Sequence, residues 1–353
     1  MSEPLSSTDP YKGVRDFYPE DWARQEAMFS RIRNTLALSG YEEYNASPLE
    51  RSELYEAKTS EEIVSEQTYT FTDRGDRRVT LRPEMTPTLA RMVAAKRREL
   101  SFPLRWFSIG NRFRYERPQK GRLREFYQAD IDLIGLPEGE ADVEVVRLAS
   151  TILKSFGAKE SDFVIILLDR IATLATRGVG NVMFASSITR GFDYYTGMVF
   201  EVYDTDSSNP RALFGGGRFD GLVALFGGAP VPAVGFALGD VTLADFLDTH
   251  SLMPKKSAGA PQLYLGTPRM EDIPAAEAFA DTLRKEGCRI FVNLSDRALG
   301  DQIKDAVRRN IPLFAAYGAN ETATQTVRMK ILATGEEVAL AVSELPARLR
   351  SGS

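Results

Sequence analysis

The stretch TRGFDYYTGMVFEVYD, from Thr189 to Asp204, sets one arginine, one acid, two adjacent tyrosines and two glycines in front of an alternating apolar run. The alternation reads as a strand with one buried face, which leaves Arg190, Tyr194 and Tyr195 at its mouth, where ligands bind. Three other segments share this character. In TLRPEMTPTLAR, Glu84 and Thr86 fall where a strand meets a helix. A carboxylate there accepts from an ammonium group and the hydroxyl adds a second hydrogen bond, although Glu84 could equally cap the helix. In NRFRYERPQKGRLREFYQADID, six arginines or lysines lie within the fourteen residues from Arg112 to Glu125. Strand alternation puts Arg112, Arg114 and Glu116 on one face, and Gln128, Asp130 and Asp132 on one face of the returning strand. Planar guanidinium groups presented from a sheet suit phosphate or carboxylate oxygens. The three polar residues of the returning strand need a ligand or a solvent-facing sheet edge. In LFGGGRFDGLVALFGG, the glycines before Arg218 leave backbone room for a flat ring, without the spacing of a phosphate loop or dinucleotide fold.

Together these segments offer carboxylates for an amine, arginines for phosphates and a carboxylate, and aromatics for a ring. That describes a small zwitterion beside a nucleotide. The chemistry that uses both is activation of a carboxylate by ATP. The attacking oxygen is already anionic and needs no general base. The α-phosphorus needs charge neutralisation, which arginine and Mg²⁺ supply.

The elements that must hold these groups are legible in the periodicity. Trp22, Phe29, Ile32 and Leu36 predict a helix over 21–39, ended by Gly40. A second helix is expected over 83–99, with Pro87 near its start. LRWFSIGNRFRYE and REFYQADIDLIG, within 104–135, predict two long strands joined by the basic loop RPQKGRL. A helix over 140–156, strands at 163–168, 197–204 and 211–216, a helix near 217–226, and a strand leading from PAVGFALGD into another helix complete the block. Long strands with few helical crossovers imply a mixed or antiparallel sheet, an α+β class. At 251–262, SLMPKKSAGAPQ has the composition of a linker. Beyond it strand and helix alternate through LYLG, 273–286, CRIFVNL, 299–309, IPLFAAYG and TVRMKIL, a small α/β domain. The expected domains are therefore 1–250, a linker at 251–262, and 263–345.

Composition narrows the chemistry further. The single cysteine, Cys288, excludes an internal disulfide and a cysteine cluster for zinc. The single histidine, His250, excludes a histidine-rich metal site and reads as a surface or helix-cap residue. Any metal is therefore expected as Mg²⁺ carried with ATP. A net charge of -5 does not suit general nucleic-acid binding, yet permits a local basic patch. No run of about 18 apolar residues is present, so no membrane span is expected, and the polar N-terminus lacks a signal core; a cytoplasmic protein is expected.

The quoted motifs resemble those of class II aminoacyl-tRNA synthetases, and most closely the histidyl-tRNA synthetases. FRYERPQKGRLREFYQ is similar to the family's motif 2 loop, LRPEMTPTLAR to its substrate-binding strand–helix junction, TRGFDYYTGMVFE to its histidine-specific signature and GGGRFDGL to its glycine-rich strand. The resemblance spans the chain from KGVRDFYPE to MKILATGEE. It implies a catalytic domain on a central antiparallel sheet with flanking helices, an anticodon-binding α/β domain, a homodimer formed through the N-terminal part, and histidine, ATP and tRNA(His) as partners. It further implies that Arg114 holds the α-phosphate and substrate carboxylate. Arg122 would meet the outer phosphates, with Glu116 and Arg218 also on the ATP side. Glu84, Thr86 and Asp132 would receive the α-amino group, with Gln128 beside them. Arg190 would be the catalytic cation. Tyr194 and Tyr195 would line the imidazole pocket, with Phe219 where the family often has another tyrosine.

Two departures stand out. The family's motif 3 usually ends in an arginine that reaches the ATP phosphates, whereas this chain has Gly239, Asp240, Val241 and Thr242; Arg218 or Arg122 is expected to share that load. The helical domain usually inserted before the RGFDYY segment has no room here. These departures leave a second reading open: a non-catalytic, histidyl-synthetase-like regulatory subunit of ATP phosphoribosyltransferase.

Overall fold

A computed structural model describes residues 8–56, 67–119, 121–167, 171–185, 188, 194–254 and 261–351. The chain divides into two compact units, Met1–Lys255 and Lys256–Ser353. Among the described residues no helix is long and apolar enough to cross a membrane.

The first unit is built on an eight-stranded sheet. In chain order its strands are β1 (Glu42–Glu43), β5 (Leu104–Phe113), β6 (Glu125–Ile134), β7 (Phe163–Leu167), β8 (Val182–Phe184), β9 (Val199–Asp204), β10 (Ala212–Arg218) and β11 (Ala233–Gly239). Their spatial order is β1-β5-β6-β11-β10-β9-β7-β8. The five central contacts, from β5 to β7, are antiparallel; only the outer pairs β1–β5 and β7–β8 are parallel. Helices α1 (Pro19–Leu38), α4 (Glu140–Ser155), α5 (Ile171–Thr176) and α6 (Asp240–Thr249) pack into the core that this sheet carries. Phe29, Ile32 and Leu36 of α1 are buried there as their spacing requires. Trp22 is 39% exposed and instead packs edge-on against Phe17 and Tyr127.

A three-stranded sheet, β2 (Leu49–Arg51), β4 (Arg78–Leu81) and β3 (Tyr69–Thr72), leads through the Arg82–Pro83–Glu84 turn into α3 (Thr86–Lys96), with α2 (Glu53–Glu56) beside it. The helix expected over 83–99 is shorter at both ends and carries Pro87 in its first turn, where its missing N–H costs nothing. The helix expected near 217–226 is corrected. β10 runs on to Arg218 because Gly217 and Arg218 still pair with β11, and only a single 3₁₀ turn, Val223–Phe226, follows before Gly227 turns the chain at positive φ.

The second unit has a five-stranded sheet ordered β13 (Ile290–Val292), β12 (Leu263–Gly266), β14 (Leu313–Ala316), β15 (Thr326–Ile331) and β16 (Glu337–Ala341). Its first three strands are parallel and joined through α7 (Ile273–Lys285) and α8 (Leu299–Arg308), as the βαβ pattern demands. Val327 and Met329 of β15 are fully buried.

Candidate active site

The centre of the large sheet is paved with glycine, and the side chains of the site lie in the space this leaves. Gly217 on β10 pairs with Gly235 on β11, which in turn pairs with Asp132 on β6. A Cβ at Gly235 would fall 2.3 Å from Asp132 Oδ1, and one at Gly217 would fall 2.7 Å from Tyr195 Cδ1. Neither position tolerates a side chain, so the carboxylate and the ring rest directly on backbone.

Around this floor a cavity of about 90 Å³ is lined by Glu84, Thr86, Arg114, Gln128, Asp132 and Tyr194, together with Tyr195, Phe219 and Asp130. Seven of the residues that the sequence assigns to one ligand therefore meet: Glu84 and Thr86 from the strand–helix junction, Arg114 from just beyond β5, Gln128 and Asp132 from β6, and the two tyrosines. Tyr194 is buried and its hydroxyl donates to Glu84 Oε2 at 2.7 Å. Burial, and then the Glu84 carboxylate, push this phenol well above its ordinary pKa, so it stays a neutral donor. Tyr195 and Phe219 flank it, with ring centroids at 5.0 and 6.1 Å. Together they form an aromatic wall with one hydrogen-bonding edge.

The acidic side of the cavity is set by β6. Arg112, wholly buried, is ion-paired with Asp130, while Asp132 one alternation further on is buried without a cation of its own in that pairing. Burial, and then the Asp130 charge, raise Asp132 well above the carboxylate range; Arg112 opposes this only in part. Gln128 Oε1 is buried with no hydrogen-bond partner among the described residues. An orphaned acceptor beside an uncompensated carboxyl calls for a donor with positive charge. Arg114 is oriented by donating its Nε–H to the Pro83 carbonyl at 3.0 Å and by lying over the Phe126 ring.

Other expectations fare differently. Arg190 lies outside the described residues. Arg122 and Glu116, beyond this cavity, pair with each other at 3.2 Å. Arg218 is corrected: it is 1% exposed, donates to Asp142 Oδ1 from both Nε and Nη2 at 3.0 and 2.8 Å, and reaches Asp220 at 2.9 Å. Its charge is consumed in holding β10 to α4, so it has none to offer a phosphate. Asp240, in the degenerate motif 3, is likewise structural and accepts from Arg15, Gln25 and the Tyr127 amide. His250 caps α6, as expected, but lies 2.8 Å from Asp204 rather than free at the surface. Sequence reasoning missed Arg82, whose buried guanidinium ties the Asn111 and Ala46 carbonyls together behind the site. Its place two residues before Glu84 was the available signal.

Comparison with known proteins identifies the family. The profile of the histidyl-tRNA synthetase family matches residues 13–177 and 167–242, and that of the anticodon binding domain matches residues 263–352. A histidine–tRNA ligase from Leptospira biflexa is 35% identical over an alignment of 429 residues that covers 98% of each chain. Since this chain has 353 residues, the relative carries sequence that it lacks. The apo histidyl-tRNA synthetase of S. aureus superposes with a TM-score of 0.81 at 21% identity, covering 98% of this chain and 100% of that one. A Bacillus halodurans protein described as an ATP phosphoribosyltransferase regulatory subunit/histidyl-tRNA synthetase reaches 0.68 at 20% identity, over 90% and 98% of the two chains. At such identities these structures speak for the fold. The family profile and the close relative decide the rest: the chain is a member of the histidyl-tRNA synthetase family, a class II aminoacyl-tRNA synthetase.

Proposed function

We infer that this enzyme is a histidine–tRNA ligase, which activates histidine with ATP and transfers it to tRNA(His). The observation that carries the reading is the convergence of Glu84, Gln128 and Asp132 opposite Tyr194 and Tyr195 in one small cavity. The α-ammonium of histidine would sit among the carboxyl groups and the Gln128 carbonyl. Its imidazole would lie against the tyrosines, where the Tyr194 hydroxyl, its proton donated to Glu84, presents an acceptor. Arg114 would then face the substrate carboxylate. In the first step a carboxylate oxygen attacks the α-phosphorus and pyrophosphate leaves. No proton needs to move, so the work falls to groups that neutralise the developing charge. Arg114 and Arg190 take that role, and Mg²⁺ enters bound to the nucleotide's own phosphates. The adenylate then gives its acyl group to a tRNA hydroxyl, releasing AMP.

A cytoplasmic homodimer belongs to the same proposal. A groove of about 840 Å³, in which Leu49, Leu54, Leu225 and Phe226 lie beside charged Glu50, Arg51, Glu53 and Arg91, supports self-association, and light scattering measures it. The regulatory-subunit reading has no feature in its favour beyond the altered motif 3 and the shorter chain.

Histidine-dependent exchange of pyrophosphate into ATP, with Mg²⁺ and no tRNA, tests the enzyme reading. Exchange is expected, and Arg190→Ala should slow it about a hundredfold, the scale of losing one preorganised electrostatic donor. Arg190→Lys should recover part of the rate, and histidine affinity should change less than turnover. A protein that binds histidine yet shows no exchange would return the regulatory reading.

A further inference from the structure

The cavity around Tyr194 holds about 90 Å³, whereas ligand pockets of nucleotide size span roughly 300–1,000 Å³. ATP must therefore occupy further space. A second cavity of about 350 Å³ lies further along β10: Gly215 lines the first and Leu213 lines the second. Its remaining wall includes Gln119 and Gly121 of the basic loop, Asn209, Arg211 and Thr242, together with Asp245, the one carboxylate in the lining. Thr242 adds no charge, and its hydroxyl is already donated to the Leu213 carbonyl at 2.6 Å. Arg211 is exposed and has no ion-pair or hydrogen-bond partner among the described residues. Arg218 and Arg122, by contrast, are both paired with carboxylates.

The backbone that carries Arg211 is held in place. Arg211 ends the turn between β9 and β10, which is tied from within. Asp204 accepts from the Asp206 amide at 2.9 Å and from Asn209 Nδ2 at 2.8 Å, and its other contact is His250 Nε2. Buried Asn209 reaches Thr249 at 3.0 Å, the Asp206 side chain accepts from the Ser208 amide, and Thr205 donates to the Ser161 carbonyl. So braced a turn brings the Arg211 backbone to the cavity wall without a loop having to order first, and the side chain alone is ordered on binding.

We propose that this cavity receives the outer phosphates of ATP and that Arg211 is their cationic contact, in place of the charge position 242 does not supply. The inference rests on the ATP-activation reading above but assigns a residue to it. It is tested by equilibrium calorimetry with MgATP and with AMP, which needs no turnover. Arg211→Ala should weaken MgATP about tenfold or more, the scale of one charge-assisted contact, while AMP changes less than about twofold. Arg211→Lys should fall between, and Arg211→Ala combined with Thr242→Arg should regain MgATP affinity by restoring a charge at another position of the lining. Unaltered MgATP affinity in Arg211→Ala overturns the proposal. So does an equal loss for AMP, which would place Arg211 at the nucleoside. So does a wild-type protein that binds no MgATP. Wild-type protein that binds MgATP but fails in pyrophosphate exchange counts against the enzyme reading alone, because the Arg211 contact is still decided by the two titrations.

Discussion

At Asp132, stability and the proposed binding of histidine pull in opposite directions. Its carboxyl is buried beside Asp130, and its pKa in the folded protein stands well above the usual carboxylate value. A group with a raised folded pKa stabilises the fold at low pH and loses that contribution as pH climbs from the ordinary carboxylate range through the raised value. Asp132→Asn removes the cost of ionisation. The ligand-free variant should therefore gain Tm over wild type, by a margin that widens with rising pH. Its histidine affinity should fall, because the ammonium loses its anion. An arriving ammonium also favours ionised Asp132, so histidine binding to wild type should release protons. Calorimetry in buffers of different ionisation enthalpy counts them, and Asp132→Asn should reduce the count. A variant with a lower Tm at every pH and unchanged proton release would show that Asp132 is simply a packed structural group.

At the level of strands, the same site depends on glycine at positions where a methyl group has no room. A Cβ at Gly235 would meet the Ile131 carbonyl at 2.6 Å as well as Asp132, so relief requires moving β6 away from β11. Gly235→Ala is expected to cost about 1–3 kcal/mol, as overpacking does, and to abolish histidine binding. Gly300, in the first turn of α8 with open space around it, provides the contrast. Gly300→Ala should stabilise by about 0.5–1 kcal/mol through helix propensity and leave binding intact. Thermal melts of both variants decide this, and equal shifts would refute the close-approach argument. Strand periodicity also explains what was legible in the sequence. β5 and β6 each run ten residues, long enough for alternation to place Gln128, Asp130 and Asp132 together. The strands of the three-stranded sheet have three or four residues, too few for a period to show. Arg218 was misassigned because its partner Asp142 lies 76 positions away, and only tertiary structure reveals that pairing. Arg211 sits in the polar, turn-like run DSSNPR, which has no periodicity to mark it.

Across the whole molecule, an acidic chain must still bind an acidic polymer. The net charge is -5, so tRNA cannot be held by the overall field and must rely on local cations. Two stretches offer them: the basic loop joining β5 to β6, with Arg117 exposed, and the second unit, where Arg328 projects from a β15 that buries Val327 and Met329 on its other face. Contacts of this kind work by releasing counterions, so the logarithm of tRNA affinity should fall linearly with the logarithm of salt concentration, with a slope of about -0.7 to -0.9 per phosphate contact. Amino-acid activation should respond differently. Its charged groups face one another in a buried cavity, where mobile ions screen poorly. Raising salt from about 50 to 200 mM should therefore cost tRNA affinity tenfold or more if at least two phosphates are engaged, while pyrophosphate exchange changes by less than about twofold. Filter binding and exchange measured over one salt series test both halves. Parallel loss of the two activities would mean that the active site itself is solvent-screened, against the burial of Asp132, Glu84 and Tyr194. No tRNA binding at the lowest salt would mean that these two stretches do not form the tRNA surface.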